Sequence, residues 1–380
     1  MKDFYFLLAF DLFLLFSIVG VSMYSYLLYG APQKIMAVVV IMLMAIDEII
    51  NRRLKVTRRE FILLVICIFL FVISYLRSPI EIAISYLVVF FARNKDFKKI
   101  ANHACNITSV LLVTVIVSSQ LGIIKDVIFE GYRHGVGFRY ALFGPSLLLN
   151  VVMLKFYLDR EKIKWFVLIL YSGLSAWLFL KCDAELSFGL TGAIIIYATY
   201  VKIFHKHNRK KNYCLSLCPL SFFICLTFSF VIVYLYSKNT MQWYAINRFL
   251  SGRLQLSLRA LSSYPISLFG NTVEWVGNGV DHLGNVYSGS YYYVDNAYIY
   301  LWIGSGIIAS FIIWSLYTIV IVKCYKMREY FLVVCFTVLS VYFVFDNLKL
   351  KLVYNTFILL LPMAFMKISR KDLRRSSVNL

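Results

Sequence analysis

Two stretches of this sequence concentrate the residues best suited to chemistry. One reads Glu130-Gly131-Tyr132-Arg133-His134-Gly135-Val136-Gly137-Phe138-Arg139, and the other carries Arg248, Arg253 and Arg259. A guanidinium offers a rigid fork of donors that matches phosphate or carboxylate oxygens two at a time. The alternative at each position is a side chain that snorkels to lipid headgroups. Leu250, Leu254, Leu258 and Leu261 recur at helical spacing, which predicts one amphipathic helix over Asn247 to Ser262. Arg248 and Arg259 are separated by roughly three whole turns on that reading, so both aim the same way while Arg253 points to the side.

The stretch that follows carries Gly270, Gly277, Gly279, Gly284 and Gly289 among Trp275, Asp281, His282, Tyr287 and Tyr291 to Tyr293. Glycines let a loop close over a ligand, and flat aromatic faces beside polar side chains such as Asn296 suit sugar rings. Trp275, Tyr292 and Asn296 are the candidates for that contact; aromatics that merely sit at a membrane interface are the alternative. Asp295 lies at the entry to the next apolar run, where capping a helix is as good a reading as chemistry. Asp11, Glu81, Asp47 and Glu48 fall within apolar runs, where ionisable groups are costly. Asp11 and Glu81 are isolated in sequence, so they do not read as an ion-coupling relay, and Asp47-Glu48 is expected to meet a basic inner loop. His103, His205 and His207 lack metal-ligand spacing, and no nucleotide or zinc-protease motif is present. Neither metal nor cofactor is expected. Cys214 and Cys218 are a helical turn apart and read as core packing; Cys182, near an outer loop, has no partner there for a disulfide.

The elements that must hold these residues are membrane helices. Of 380 residues, 61% are hydrophobic and 15% charged, with a mean hydropathy of +0.76, which excludes a water-soluble globule. The net charge of +20 is distributed in short clusters between apolar runs, a pattern that sets topology and excludes a nucleic-acid face. Counted against the roughly 20 residues that cross a bilayer, the chain reads as an all-α polytopic membrane protein of about twelve transmembrane helices. The expected spans are Phe6 to Leu28, Ile35 to Ile50, Phe61 to Leu76, Ile80 to Ala92, Ala104 to Ile124 and Ala141 to Leu158. They continue with Trp165 to Leu180, Gly189 to Phe204, Tyr213 to Tyr236, Ala297 to Val322, Tyr330 to Phe345 and Val353 to Met366. The first is read as uncleaved. Lysine and arginine cluster at alternate connections, which puts both termini in the cytoplasm and makes 237–296 one long extracytoplasmic loop within a single membrane domain, 1–380.

Leu250-Ser251-Gly252-Arg253, Leu268-Phe269-Gly270, Val294-Asp295-Asn296-Ala297-Tyr298 and Gly304 with Gly306 follow the order of short motifs in Wzy-type polysaccharide polymerases, and the chain resembles that family. Arg133-His134-Gly135-Val136-Gly137-Phe138 is similar to the family's arginine-bearing Gly-Phe motif. Where family members often continue with His-Pro-Asn this chain has Arg139-Tyr140-Ala141, so no role carries over to those positions. The resemblance implies a GT-C-like glycosyltransferase of the bacterial cytoplasmic membrane that joins repeat units carried on undecaprenyl diphosphate, making O-antigen, capsule or exopolysaccharide. Its active site would face outward, and a chain-length regulator and a flippase would be its protein partners. On that mechanism Arg133, Arg248 and Arg253, with Arg259 as a fourth, hold the diphosphate as it leaves. The base that activates the acceptor hydroxyl is one of Asp295, Asp281, His282 and His134, with Asp295 favoured by motif position. An O-antigen ligase shares scaffold and donor; a flippase for the same lipids and a membrane scaffold are the readings from other classes.

Overall fold

The computed structural model describes residues 3–28, 32–51, 56–204, 215–238, 240–285, 291–366 and 373. The helices of the first half are α1 (Phe4–Val21), α2 (Pro32–Ile50), α3 (Arg58–Arg77), α4 (Ile80–Phe91), α5 (Phe97–Gln120), α6 (Phe143–Asp159) and α7 (Trp165–Cys182). Those of the second half are α8 (Glu185–Phe204), α9 (Ser221–Tyr236), α10 (Met241–Phe249), α11 (Arg253–Ser263), α12 (Ala297–Gly304), α13 (Gly306–Lys326) and α14 (Tyr330–Phe345). A hairpin of two short strands, β1 (Ile128–Phe129) and β2 (Arg133–His134), lies between α5 and α6. Among the described residues, seven helical runs are long and apolar enough to cross a membrane. The large apolar side chains Phe166, Ile169 and Ile196 stand exposed on them, as lipid-facing residues would. This is an all-α membrane protein.

The best-buried elements lie in the middle of the bundle: α6, α14 and the terminal segment Thr356–Ala364. That segment, expected as an α-helical span from Val353 to Met366, is instead 3-10 helix. Pro362 lies inside it and has no N–H to return to Ile358, so an α-type ladder is interrupted there. Asn150 of α6 fixes the segment's start: its amide donates to the Thr356 hydroxyl at 3.1 Å and accepts from the Thr356 N–H at 3.3 Å.

Two further spans differ from expectation. The run from Ala297 to Val322 breaks at Ser305 into α12 and α13, with Gly306 at φ 85°. The loop 267–271 docks into the break: Asn271 N–H bonds Ile303 O at 2.9 Å and Ile307 N–H bonds Ser267 O at 3.1 Å. Backbone touches backbone here, because a Cβ on Gly270 would lie 2.0 Å from Gly304 O and one on Gly306 2.3 Å from Gly270 N. The amphipathic helix expected over Asn247 to Ser262 is likewise two helices, α10 and α11. Ser251 at φ 53° and Gly252 at φ 79° form a Schellman ending, with Gly252 N–H to Asn247 O at 2.8 Å and Ser251 N–H to Arg248 O at 3.1 Å. Asn247 Oδ1 then accepts the Leu254 and Gln255 N–H groups at the start of α11.

At the end of the bundle that carries the α2–α3 and α4–α5 connections, buried ion pairs tie four helices together. Arg93 reaches Glu48 at 2.7 Å and Glu60 at 3.3 Å. Lys95 bonds Asp47 and reaches Asp3 at 3.1 Å. Asp47 and Glu48 thus meet the basic connection, as expected. Asp11 does not stand alone: His103 of α5 lies 3.0 Å from it. The described cysteines are all free; Cys182 is buried rather than exposed, and Cys214, His205 and His207 lie outside the described residues.

Candidate functional site

At the opposite end of the bundle a cavity of about 560 Å³ gathers segments from the whole length of the chain. Its polar wall begins with Asp295. Asn296, not Asp295, caps α12: its side-chain oxygen accepts from Tyr298 and Ile299 N–H, and its amide donates to Ser229 Oγ at 2.9 Å. With the cap supplied by its neighbour, Asp295 is left to line the cavity, where Arg253 Nε donates to it at 3.2 Å. The two side chains are 29% and 23% exposed, Arg253 first.

A second carboxylate lines the same cavity. Asp346 follows α14 and accepts the Leu348 N–H at 2.8 Å. Burial raises both acids. Asp295 is raised by burial against the opposing effect of Arg253. Asp346 is pushed up to about 7, first by burial and then by the negative charge of Asp295. Asn347 holds the two acid-bearing segments together, donating to Val294 O at 3.0 Å and accepting from the Tyr293 hydroxyl at 3.1 Å. Below it Lys349 is fully buried, donating to Ser146 O at 3.1 Å and Tyr354 O at 3.0 Å. Burial lowers its pKa to about 7. Tyr140 and Tyr291 complete this wall; burial and the nearby charge of Asp295 raise both phenols, which stay neutral hydrogen-bonding groups.

Beside the acids stands an aromatic face. Trp275 stacks on Tyr292 with centroids 5.9 Å apart and meets Tyr293 edge-on at 6.0 Å. Arg259 lies over the Tyr292 ring, 5.1 Å from its centroid. Arg139 closes the rim by donating to Val280 O at 2.8 Å and Gly20 O at 3.2 Å, linking α1 to the long loop. The remaining wall is apolar, built from Phe13, Phe16, Met36, Ile84, Leu142 and Val353. Lys351, also a lining residue, faces Glu81 of α4 across 3.9 Å.

Of the catalytic and binding candidates named in the sequence, Trp275 and Asp295 line this cavity and Arg253 is bonded to Asp295; Glu81, Arg139, Tyr291 and Tyr293, noted there without a role, line it too. Tyr292 and Arg259 stand behind Trp275. Arg133 sits on the β hairpin, bound to Cys182 O at 3.3 Å and 3.6 Å from Glu130; it is not a lining residue, although its charge reaches Tyr140. His134 is 2.7 Å from Asp126 in the same hairpin. Arg248 is exposed on α10, and the break at Ser251-Gly252 removes the common stripe expected for Arg248 and Arg259. Asp281 organises its own turn, accepting from Leu283 and Asn285 N–H, and the Asn285 bonds lower its pKa. His282 follows it and is not among the lining residues. Asn296 is the α12 cap, with both side-chain ends engaged.

Sequence reasoning passed over Asp346, Asn347, Lys349 and Lys351. The signal was present: Asp346-Asn347-Leu348-Lys349-Leu350-Lys351 is a polar run between two apolar ones, but it is short and matches no motif. Glu81, isolated in sequence, gains a partner only through the fold. No protein-family model, no curated protein and no solved structure matches this chain.

Proposed function

We propose that this chain is a glycosyltransferase that joins oligosaccharide repeat units carried on undecaprenyl diphosphate at the outer face of a bacterial cytoplasmic membrane. The observation that supports this most is the division of one cavity into a wall of acids and aromatics and a wall of apolar helix. A sugar joined to a long hydrocarbon has that same division. The topology read from the basic clusters, about twelve spans with both termini inside, turns the cavity outward.

In the proposed reaction Asp295 takes the proton of the acceptor hydroxyl as that oxygen attacks the anomeric carbon of the donor chain, and lipid diphosphate leaves. Arg253 keeps Asp295 ionised and oriented, while Asp346, its proton retained up to about pH 7, limits the charge repelling the diphosphate. The Trp275 face seats a sugar ring. Arg133 stands one layer out, and its charge adds to the field that favours an anionic leaving group.

Deleting the gene should remove the surface-glycan ladder above one repeat unit on gels. An Arg253→Ala protein should insert normally yet lose activity at least ~100-fold, leaving single units on the lipid; full-length polymer from it would refute the assignment. A flippase for the same lipids would share an amphiphilic cavity. Proteoliposomes separate the two, because a polymerase lengthens supplied lipid-linked oligosaccharide without moving it across the bilayer.

A further inference from the structure

None of the four expected arginines is a lining residue of the cavity. Arg253 is bonded to Asp295, Arg259 lies over the Tyr292 ring, Arg133 is bound on the β hairpin, and Arg248 is exposed on α10. Lys351 differs from them in three ways. It lines the cavity, five residues after Asp346 and two before Val353, which line it too. Its ion pair among the described residues, with Glu81, spans 3.9 Å between side chains 24% and 38% exposed, a loose contact that contributes little and can be exchanged for a stronger anion. Its backbone is held on both sides. Lys351 N–H donates to Leu348 O, Tyr354 N–H donates to Lys351 O, and the next N–H, Leu352, donates to Ser85 Oγ on α4 at 3.2 Å.

We propose that Lys351 is the cation that receives the phosphate of a polyprenyl diphosphate, releasing Glu81 as the ligand enters. The position matches the ligand's chemistry. Its phosphates lie between hydrocarbon and sugar, and Lys351 stands in the chain between the acid Asp346 and the apolar Val353, facing Glu81 one helical turn from Ile84, all of them lining the cavity. Glu81 neutralises the lysine while the cavity is empty and competes with the phosphate for it. The assignment rests on reading this cavity as a lipid-linked glycan site, and it names the group that holds the lipid headgroup.

Binding to the full-length protein in phosphatidylcholine nanodiscs tests it, with undecaprenyl diphosphate, undecaprenol and inorganic pyrophosphate as probes. Lys351→Ala should weaken undecaprenyl diphosphate roughly tenfold to a hundredfold and leave undecaprenol unchanged, and Lys351→Arg should restore most of the loss. Glu81→Gln, which removes the competitor and keeps the shape, should tighten the diphosphate severalfold. Unchanged diphosphate affinity in Lys351→Ala, or equal losses for diphosphate and alcohol, overturns the proposal. So does inorganic pyrophosphate that displaces the lipid at equal concentration, since the site would then read a free phosphate. Lys351-dependent lipid binding by a protein that fails to lengthen oligosaccharide upholds the assignment and removes only the polymerase reading.

Discussion

Asp346 and Lys349 are two titratable groups buried three residues apart whose pKa values are driven together from opposite directions. Asp346 rises to about 7 and Lys349 falls to about 7. The linkage signs are opposite as well. Between pH ~4 and ~7 the folded protein holds a proton on Asp346 that the unfolded chain has released, so this group's contribution to stability falls as pH rises. Between pH ~7 and ~10 the unfolded chain holds a proton on Lys349 that the folded protein has released, so stability rises with pH. The pair therefore gives a minimum in thermal stability near neutral pH, readable from unfolding midpoints in detergent across pH 4 to 10. Asp346→Asn should abolish the descending limb and leave the ascending one. A variant whose profile superimposes on that of the parent would show that Asp346 does not carry a proton in the fold. The same residues show the limit of reading from sequence. Position within a motif similar to that of the polymerases is what favours Asp295 in the sequence, but an acid's environment depends on what the chain brings to it, and Asn347, Tyr293 and Val294 meet only in the fold.

At the scale of elements, apolar periodicity located nearly every helix, because lipid imposes length and hydrophobicity on each one. It missed the interruptions. The leucines at 250, 254, 258 and 261 keep helical spacing straight through the turn at Ser251-Gly252. The apolar run from 297 to 322 continues through Gly304-Ser305-Gly306 with no polar residue to mark the break except serine. Both interruptions are backbone events, and a hydropathy pattern records only side chains. The glycines are the trace they leave. Gly270 and Gly306 meet at a backbone contact that holds the long loop against the α12–α13 break, and this positions Trp275 a few residues on. Gly270→Ala should lower stability by about 2–3 kcal/mol, since the nearest obstacles are backbone atoms that cannot turn aside. Gly189→Ala, where a Cβ meets open space, is the control and should be neutral in a detergent melting assay. Equal melting of the two variants would mean that the loop is not docked in the break.

For the whole molecule, the basic connections mark one end of the bundle as the one expected in the cytoplasm, and the cavity lies at the other. One end is held by Arg93 and Lys95 with their four acids, and by Arg160 on Glu329 at 2.6 Å. Lysine and arginine resist translocation, so this end is expected to stay in the cytoplasm, leaving the cavity, the β hairpin and the loop 237–296 on the far side. Releasing Glu48 and Glu60 by Arg93→Ala should remove about 3–5 kcal/mol from the folded state. Single cysteines report the orientation directly once the native ones are replaced. Leu283 and Lys99 are both exposed, at opposite ends. In intact cells a membrane-impermeant maleimide should label Leu283→Cys and not Lys99→Cys, with both labelled after permeabilisation. The reverse pattern would place the cavity in the cytosol. An acceptor glycan already outside the membrane could then never reach Asp295, and polymerisation at the outer face would be ruled out whatever the chemistry of the pocket.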